Sequence, residues 1–132
     1  MPNPTPFMED GHPELSDSIL TSEKKMLGIE EDYEEFDPEL IVYINTIFGT
    51  LEQLGIRSGD KFRIQDKFTT WTDYLDDYEM IDEIKSYMYL RLRLLFDPPS
   101  NSFIVNSFDD QIKEFEWRIN VKGDTTWEDY SD

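Results

Sequence analysis

The 132-residue chain contains no cysteine and a single histidine, and its six glycines are scattered. The lack of cysteine excludes both a disulfide framework and a thiolate metal site. His12 lies in a proline-rich segment, where no rigid neighbour would orient it as a catalytic base. The scattered glycines are not the pattern of a phosphate-binding loop. We therefore expect no catalytic residue, no metal and no cofactor.

Long apolar runs are also absent. No stretch approaches the roughly 20 apolar residues that a membrane-spanning helix needs. The first six residues lack the basic and apolar segments of a secretory signal. These absences predict one soluble domain, made in the cytoplasm, that does not contact a membrane.

Negative charge dominates the residues that are present. The chain has 30 acidic and 12 basic residues, so its net charge is −18. Proteins that hold nucleic acid by its phosphates need Lys and Arg, so this class is excluded. Three interpretations stay open. The acids form a solvated surface, or they mimic DNA in the basic groove of another protein, or they lie beside DNA that must not adhere to them.

Apolar periodicity predicts a mainly α-helical fold, a small bundle of three long helices with a short N-terminal helix. An extended arm covers residues 1–17, the helical domain covers 18–120, and a polar acidic tail covers 121–132. Residues 61–65 alternate in polarity and predict a short β segment, which needs a partner strand from this chain or from another subunit. The predicted helices cover about 21–27, 38–54 and 81–96, with a last one that begins at Ser100 or Asn101. For the helix over 38–54, Asp37 is the expected N-cap, Pro38 fits the first position and Gly55 ends it. Residues 69–75 could form a loop packed by Trp71.

The helix predicted over residues 81–96 is apolar around most of its girth. One stripe follows the helical period and can face the core: Ile81, Ile84, Met88, Leu92 and Leu95. Five further residues fall off that stripe: Tyr87, Tyr89, Leu90, Leu94 and Phe96. A helix apolar on most sides is normally enclosed on most sides, and a small domain has little mass for this. The surplus predicts subunit contact, and the alternative is a central bundle helix with tyrosines at the rim.

Two arginines and two aromatic residues are further contact candidates. Arg91 and Arg93 lie inside the apolar helix, where their stems cover apolar surface or their guanidinium groups pair with carboxylates of a neighbouring subunit. Trp127 and Tyr130 lie in the acidic tail. They are either anchors for a binding pocket on a partner or incidental residues of a frayed terminus.

Carboxylates are numerous enough that a metal-dependent enzyme has to be weighed as a rival. Asp110 and Glu114 lie one helical turn apart, and residues 30–35 offer further oxygen ligands. Neither segment has the spacing of a calcium-binding loop. Chance proximity is expected with so many acids, so we predict no functional metal here.

Seven segments along residues 20–120 form an ordered set: residues 24–29 (KKMLGI), 36–37 (FD), 44–45 (IN), 51–56 (LEQLGI), 87–90 (YMYL), 94–99 (LLFDPP) and 114–120 (EFEWRIN). In their order and spacing they resemble the head–tail connector (adaptor) proteins of long-tailed bacteriophages. The resemblance implies a mostly helical subunit of a twelve-membered ring that catalyses nothing. It also implies that the ring joins the portal protein to the next neck component, a stopper or tail-terminator protein.

The function expected from this resemblance is that of a structural protein of the virion, at the head–tail interface. DNA would pass through the central hole of the ring without sequence-specific binding, and acidic walls would keep it from adhering. The alternative function is an acidic DNA mimic that inhibits a DNA-binding protein. Such a mimic would space its carboxylates like phosphates along one face, whereas here the acids are spread through loops and both ends.

Overall fold

The structure is a computed structural model that describes the backbone of residues 18–131 and the side chains of residues 18–121. The predicted arm, residues 1–17, lies outside the described residues. The mainly α-helical class is confirmed, with one short and three long helices and an additional single turn. The helices are α1 (Ile19–Leu27), α2 (Asp37–Gln53), α3 (Trp71–Tyr74), α4 (Tyr78–Phe96) and α5 (Ser102–Ser131).

Capping residues set where the helices begin. Ser18 accepts a hydrogen bond from the backbone N–H of Thr21, so α1 begins two residues before the predicted start. Asp77 caps α4 in the same way, and Asn101 accepts from the first N–H groups of α5. Asp37 was expected to cap α2, but it is the first helical residue and its carboxylate is used elsewhere.

Helix α4 lies at the centre of the bundle and packs against α1, α2 and α5. Its residues Ile81, Ile84, Met88 and Leu92 are buried, as the predicted stripe requires. Leu95 is the exception, because it is exposed at the end of the helix. Helices α1 and α2 also pack on each other, whereas the main contacts of α5 are with α4. The bundle is therefore ordered with α1 and α2 on one side of α4 and α5 on another.

The β segment predicted at residues 61–65 is wrong, because no strand is assigned anywhere in residues 18–131. The Asn45 side chain of α2 takes the place of a partner strand. Its amide nitrogen donates to the carbonyl of Ile64 at 2.9 Å, and its oxygen accepts from the N–H of Ile64 at 2.9 Å. Both backbone groups of this buried residue are thus satisfied without a β ladder.

The single turn α3 was predicted to be a loop packed by Trp71, and the packing part of that prediction agrees with the structure. Trp71 is fully buried, and its indole nitrogen donates to the hydroxyl of Ser22 at 2.7 Å. Thr70 and Asp73 form a reciprocal capping box that stabilises the turn. This turn ties residues 56–77 to α1.

A buried lysine anchors the acidic loop between α1 and α2. The ammonium group of Lys24 is 2.9 Å from a carboxylate oxygen of Asp37. It also donates to the carbonyls of Glu31 and Tyr33, at 3.0 and 2.7 Å. The ammonium group therefore donates two hydrogen bonds to the loop and forms an ion pair with Asp37, and the loop is held against the start of α2.

Candidate interaction surfaces

The surplus apolar surface predicted for α4 is largely covered by the chain itself. Tyr87 is only 2% exposed, and its ring stacks on Phe115 of α5 with 4.4 Å between the centroids. Leu90, Leu94 and Phe96 pack against the same core. Helix α5 thus covers the side on which Tyr87 lies, and the contact of the half-buried Leu90, Leu94 and Phe96 with another subunit stays a prediction.

A polar network joins α4 to α5 at this contact. The Tyr87 hydroxyl donates to a carboxylate oxygen of Glu116 at 2.7 Å and accepts from Arg91 at 2.9 Å. Arg91 also lies 3.6 Å from the Glu116 carboxylate. Burial and the hydrogen bond to Glu116 raise the pKa of Tyr87, and Arg91 opposes the shift. The carboxylate that Arg91 pairs with here thus belongs to its own chain.

The other predicted contact residues of α4 are half-buried. The Tyr89 ring lies 6.4 Å from the Phe108 ring of α5, and its hydroxyl accepts from Arg93 at 3.3 Å. Arg93 also donates to the carbonyl of Asp97, which stabilises the end of α4. The Phe96 ring contacts that of Phe36 at 5.0 Å. The role of these residues in contacts between subunits stays a prediction.

Two large and strongly exposed aromatic side chains lie on α5, and the sequence did not identify them as contact residues. A third, Phe68, is 75% exposed beside Lys67. Phe103 is 81% exposed and Trp117 is 64% exposed. They lie 14 residues apart and Val121 lies 18 residues from Phe103, which is about four and five helical turns. These three residues therefore share one side of the helix, opposite the buried Ile112. We call them, with Asp110 and Glu114 between them, the α5 outer face.

Helix α2 presents a second outer face with a different character. Val42 is 62% exposed, and Thr46, Gly49 and Thr50 continue the same side at helical spacing. The threonine hydroxyls donate to helix carbonyls one turn back, at 3.0 and 3.4 Å. No charged residue occurs between Glu39 and Glu52. We call the four residues from Val42 to Thr50 the α2 outer face.

Basic residues run alongside this α2 outer face. Residues 57–67 carry four bases and two acids, although the whole chain has a net charge of −18. The segment runs in the direction opposite to α2. Arg57, at its start, donates to the carbonyl of Tyr74, and the ammonium nitrogen of Lys67, at its end, lies 3.5 Å from a carboxylate oxygen of Glu34. A Cβ atom placed on Gly49 would lie 3.4 Å from the guanidinium of Arg63. We call the bases the basic flank: Arg57, Lys61, Arg63 and Lys67.

Two groups of exposed acids lie toward the two ends of the bundle, apart from those on α5. One group, in residues 30–35, precedes α2 near the end of α4, where Phe36 contacts Phe96. The second group, in residues 73–83, surrounds the start of α4. The basic flank lies between the two groups. Within residues 18–121 these two groups thus do not form one continuous face.

The carboxylate pair considered for a metal lies in solvent. Asp110 and Glu114 are exposed on the α5 outer face, and Glu114 pairs with Arg118 at 3.4 Å. Within residues 18–121, no three His, Asp or Glu side chains are grouped so that they could hold a metal ion. A search of the described part of the chain for a helix able to cross a membrane finds none.

The backbone is helical through most of the predicted tail, since α5 continues to Ser131. Helix α5 has 30 residues and α4 has 19, so α5 is longer by about 16 Å at 1.5 Å per residue. The side chains of Trp127 and Tyr130 lie outside the described residues. Their predicted role in docking is therefore untested, but the segment that carries them continues a helix.

Comparison with known proteins yields one match. The phage connector protein family matches residues 19–126, which includes every helix except the last residues of α5. No curated protein and no solved structure matches the chain significantly.

Proposed function

The chain belongs to the phage connector protein family, and from this premise we propose that it forms a ring in the phage neck, between the portal and the next neck or tail component. Family membership indicates a structural protein of the virion. The single observation that carries the proposal is the match, because it spans the whole bundle rather than one motif. The large exposed aromatic residues of α5 support the oligomeric part, since a contact with a neighbouring copy would remove Phe103 or Trp117 from water.

Docking on the portal is assigned to the C-terminal part of α5. Residues 121–131 continue the helix, and Trp127 and Tyr130 lie three positions apart in it. Aromatic residues are suited to fill pockets of a partner. The proposed docking segment is thus helical in the part of the chain that was predicted as a polar acidic tail.

The test of docking compares two variants for binding to the portal. Deletion of residues 121–132 is expected to abolish binding and leave the circular dichroism of the bundle intact. The double variant Trp127→Ser/Tyr130→Ser keeps the charge of the segment and is expected to lose binding as well. Undiminished portal binding by both variants would rule out this segment as the dock.

The excess of carboxylates supports a passage for DNA, because negative walls repel phosphates and prevent adhesion. The two acidic groups provide separate tests. Four lysines replacing Glu30, Glu31, Glu34 and Glu35 form one variant, and four replacing Asp76, Asp77, Glu79 and Asp82 form the other. Reversing the charge of the group that faces the lumen is expected to slow DNA ejection. The variant of the other group serves as the control. Normal ejection with both variants would refute an acidic passage.

A DNA mimic is less well supported than a connector. Its carboxylates would have to follow one face at phosphate-like spacing, and the basic flank interrupts the acidic surface between the two ends. The mimic would act as a monomer or dimer and compete with DNA for a basic protein. A failure to join portal complexes, together with such competition, would favour it over the connector.

A further inference from the structure

We propose that the α5 outer face of one copy packs on the α2 outer face of the next copy. The inference rests on the proposed ring and names the two surfaces that would build it. The two faces lie on different sides of the subunit, because α2 and α5 pack on different sides of α4. A contact between two different faces repeats from copy to copy and closes a ring when the rotation allows it.

The shapes of the two faces are complementary. The α5 outer face carries two large rings, Phe103 and Trp117, about 21 Å apart along the helix. The α2 outer face has only small residues after Val42, including Gly49, and it is about 12 Å long from Val42 to Thr50, so it receives one of the two rings, that of Trp117. Large side chains on one helix fit against small ones on another when two helices pack closely.

The polar groups of the α2 outer face are already satisfied inside the helix. Thr46 donates to the carbonyl of Val42, and Thr50 donates to the carbonyl of Thr46. The usual cost of burying polar residues is that a donor loses its partner. Burial of these hydroxyls against a neighbour avoids that cost, because both already donate within the helix. The 12 residues of α2 from 40 to 51, which include this face, carry no charge in a very acidic chain. Such a stretch suits burial rather than contact with water.

Charge favours the same pairing. The basic flank runs beside the α2 outer face, and the guanidinium of Arg63 lies next to Gly49. The α5 outer face presents the exposed carboxylates of Asp110 and Glu114. Two α2 outer faces would bring basic flanks together, and two α5 outer faces would bring carboxylates together. Arg57, Arg63 and Lys67 each also pair with an acid of their own chain, namely Asp60, Glu52 and Glu34. The contribution of charge is therefore modest, but its sign favours a contact between unlike faces over a symmetric dimer.

The size of the contact sets the conditions under which it forms. Each outer face offers four or five residues, whereas stable complexes bury roughly 20–30 residues a side. A single contact is therefore weak, and assembly needs many copies on a template such as the portal. The experiment must detect weak contacts, which chemical cross-linking does.

The first test uses two variants that each lose one face. Trp117→Asp destroys the α5 outer face and Val42→Asp destroys the α2 outer face, and both residues are exposed, so the monomer stays folded by circular dichroism. Each variant alone is expected to form no ring on the portal. Met26→Asp, at another exposed apolar position of α1, is the matched control and is expected to form rings.

The second test uses the lack of cysteine. The double variant Thr46→Cys/Glu114→Cys, treated with a short bis-maleimide, is expected to give a ladder of cross-linked oligomers. Each single variant is expected to give none. A mixture of the two single variants is expected to give a dimer and nothing larger, because only one pair of unlike faces can then be linked.

The outcomes separate this inference from the proposed function. Rings on the portal that persist in both the Trp117 and Val42 variants would overturn the contact and leave the ring standing. Dimers from either single cysteine variant would show a symmetric contact and also overturn it. Absence of any ring from the unchanged chain on the portal would overturn the ring and this contact together.

Discussion

Replacement of Lys24 by methionine is expected to remove much of the stability of the subunit. Lys24 is 2% exposed, and its ammonium group neutralises Asp37, whose side chain is 17% exposed. Methionine has a similar volume, so the change removes the charge and the hydrogen bonds without a large cavity. Removal of one partner from a buried ion pair costs about 3–5 kcal/mol, because the remaining charge is left without compensation. The free energy of unfolding of a small domain is about 5–15 kcal/mol.

The carbonyls of Glu31 and Tyr33 add little to this figure, since both residues are exposed and water can replace the lysine as donor. The matched control is Lys25→Met, which removes the same charge from the adjacent, exposed position. Its effect is expected to stay within about 0.5 kcal/mol. Urea unfolding followed by tryptophan fluorescence gives the free energy of unfolding of both variants. In thermal unfolding, the Tm of the Lys24→Met variant should fall by roughly 10–20 °C.

A second variant separates charge from packing. Asp37→Asn in the Lys24→Met background removes the orphaned carboxylate, and it is expected to recover part of the loss. The two changes are thus expected to be non-additive by at least about 1 kcal/mol. If Lys24→Met costs no more than Lys25→Met, the ammonium group does not anchor the acidic loop and the reasoning is refuted.

Three further predictions concern single side chains. Both carboxylate oxygens of Glu23 are buried without a hydrogen-bond partner, and burial raises the pKa of this group well above its ordinary value of 4.5. The folded state therefore holds a proton that the unfolded chain loses first, so stability falls as pH rises from about 4.5 through the raised pKa. Glu23→Gln should remove this fall and stabilise the protein at pH 8 but not at pH 4, measured by urea unfolding at both values. Asn45→Ala should cost about 1–3 kcal/mol, because both backbone groups of Ile64 lose their partner, and equal stability would contradict the bonding described above. Tyr87→Phe should cost about 1 kcal/mol through the lost bond to Glu116, and thermal unfolding unchanged within error would contradict it.

The sequence predicted the fold where the signal was local. The apolar face, Pro38 and the helix-ending Gly55 placed α2 within a residue of its observed end, because caps and periodicity act within one helix. Asn45 shows where such signals stop. Its bonds to Ile64 join residues 19 apart, and no local pattern shows that a side chain replaces a partner strand.

The candidate surfaces were harder to predict for the same reason. Tyr87 and Trp117 are both large aromatic residues in helices, and their local patterns do not say which of them a neighbouring helix covers. The packing of α4 on α5 decides this, since it buries Tyr87 and leaves Trp117 outside. The apolar pattern of α4 did not show that α5 of the same chain covers Tyr87, and the contacts of α4 with another subunit stay a prediction.

The attachment of α5 has a mechanical consequence. This helix is held chiefly by α4, through the buried side chains of Ile112, Phe115 and Ile119 and the contacts of Tyr87 and Arg118 with the acids opposite them. The ring contacts of Trp71 are with Phe48 and Tyr74, which lie outside α5. Amide hydrogens of α5 should therefore exchange with solvent through local openings, ahead of those in α2. Such a helix can tilt against its neighbour to follow a template, while the rest of the subunit behaves as a rigid block.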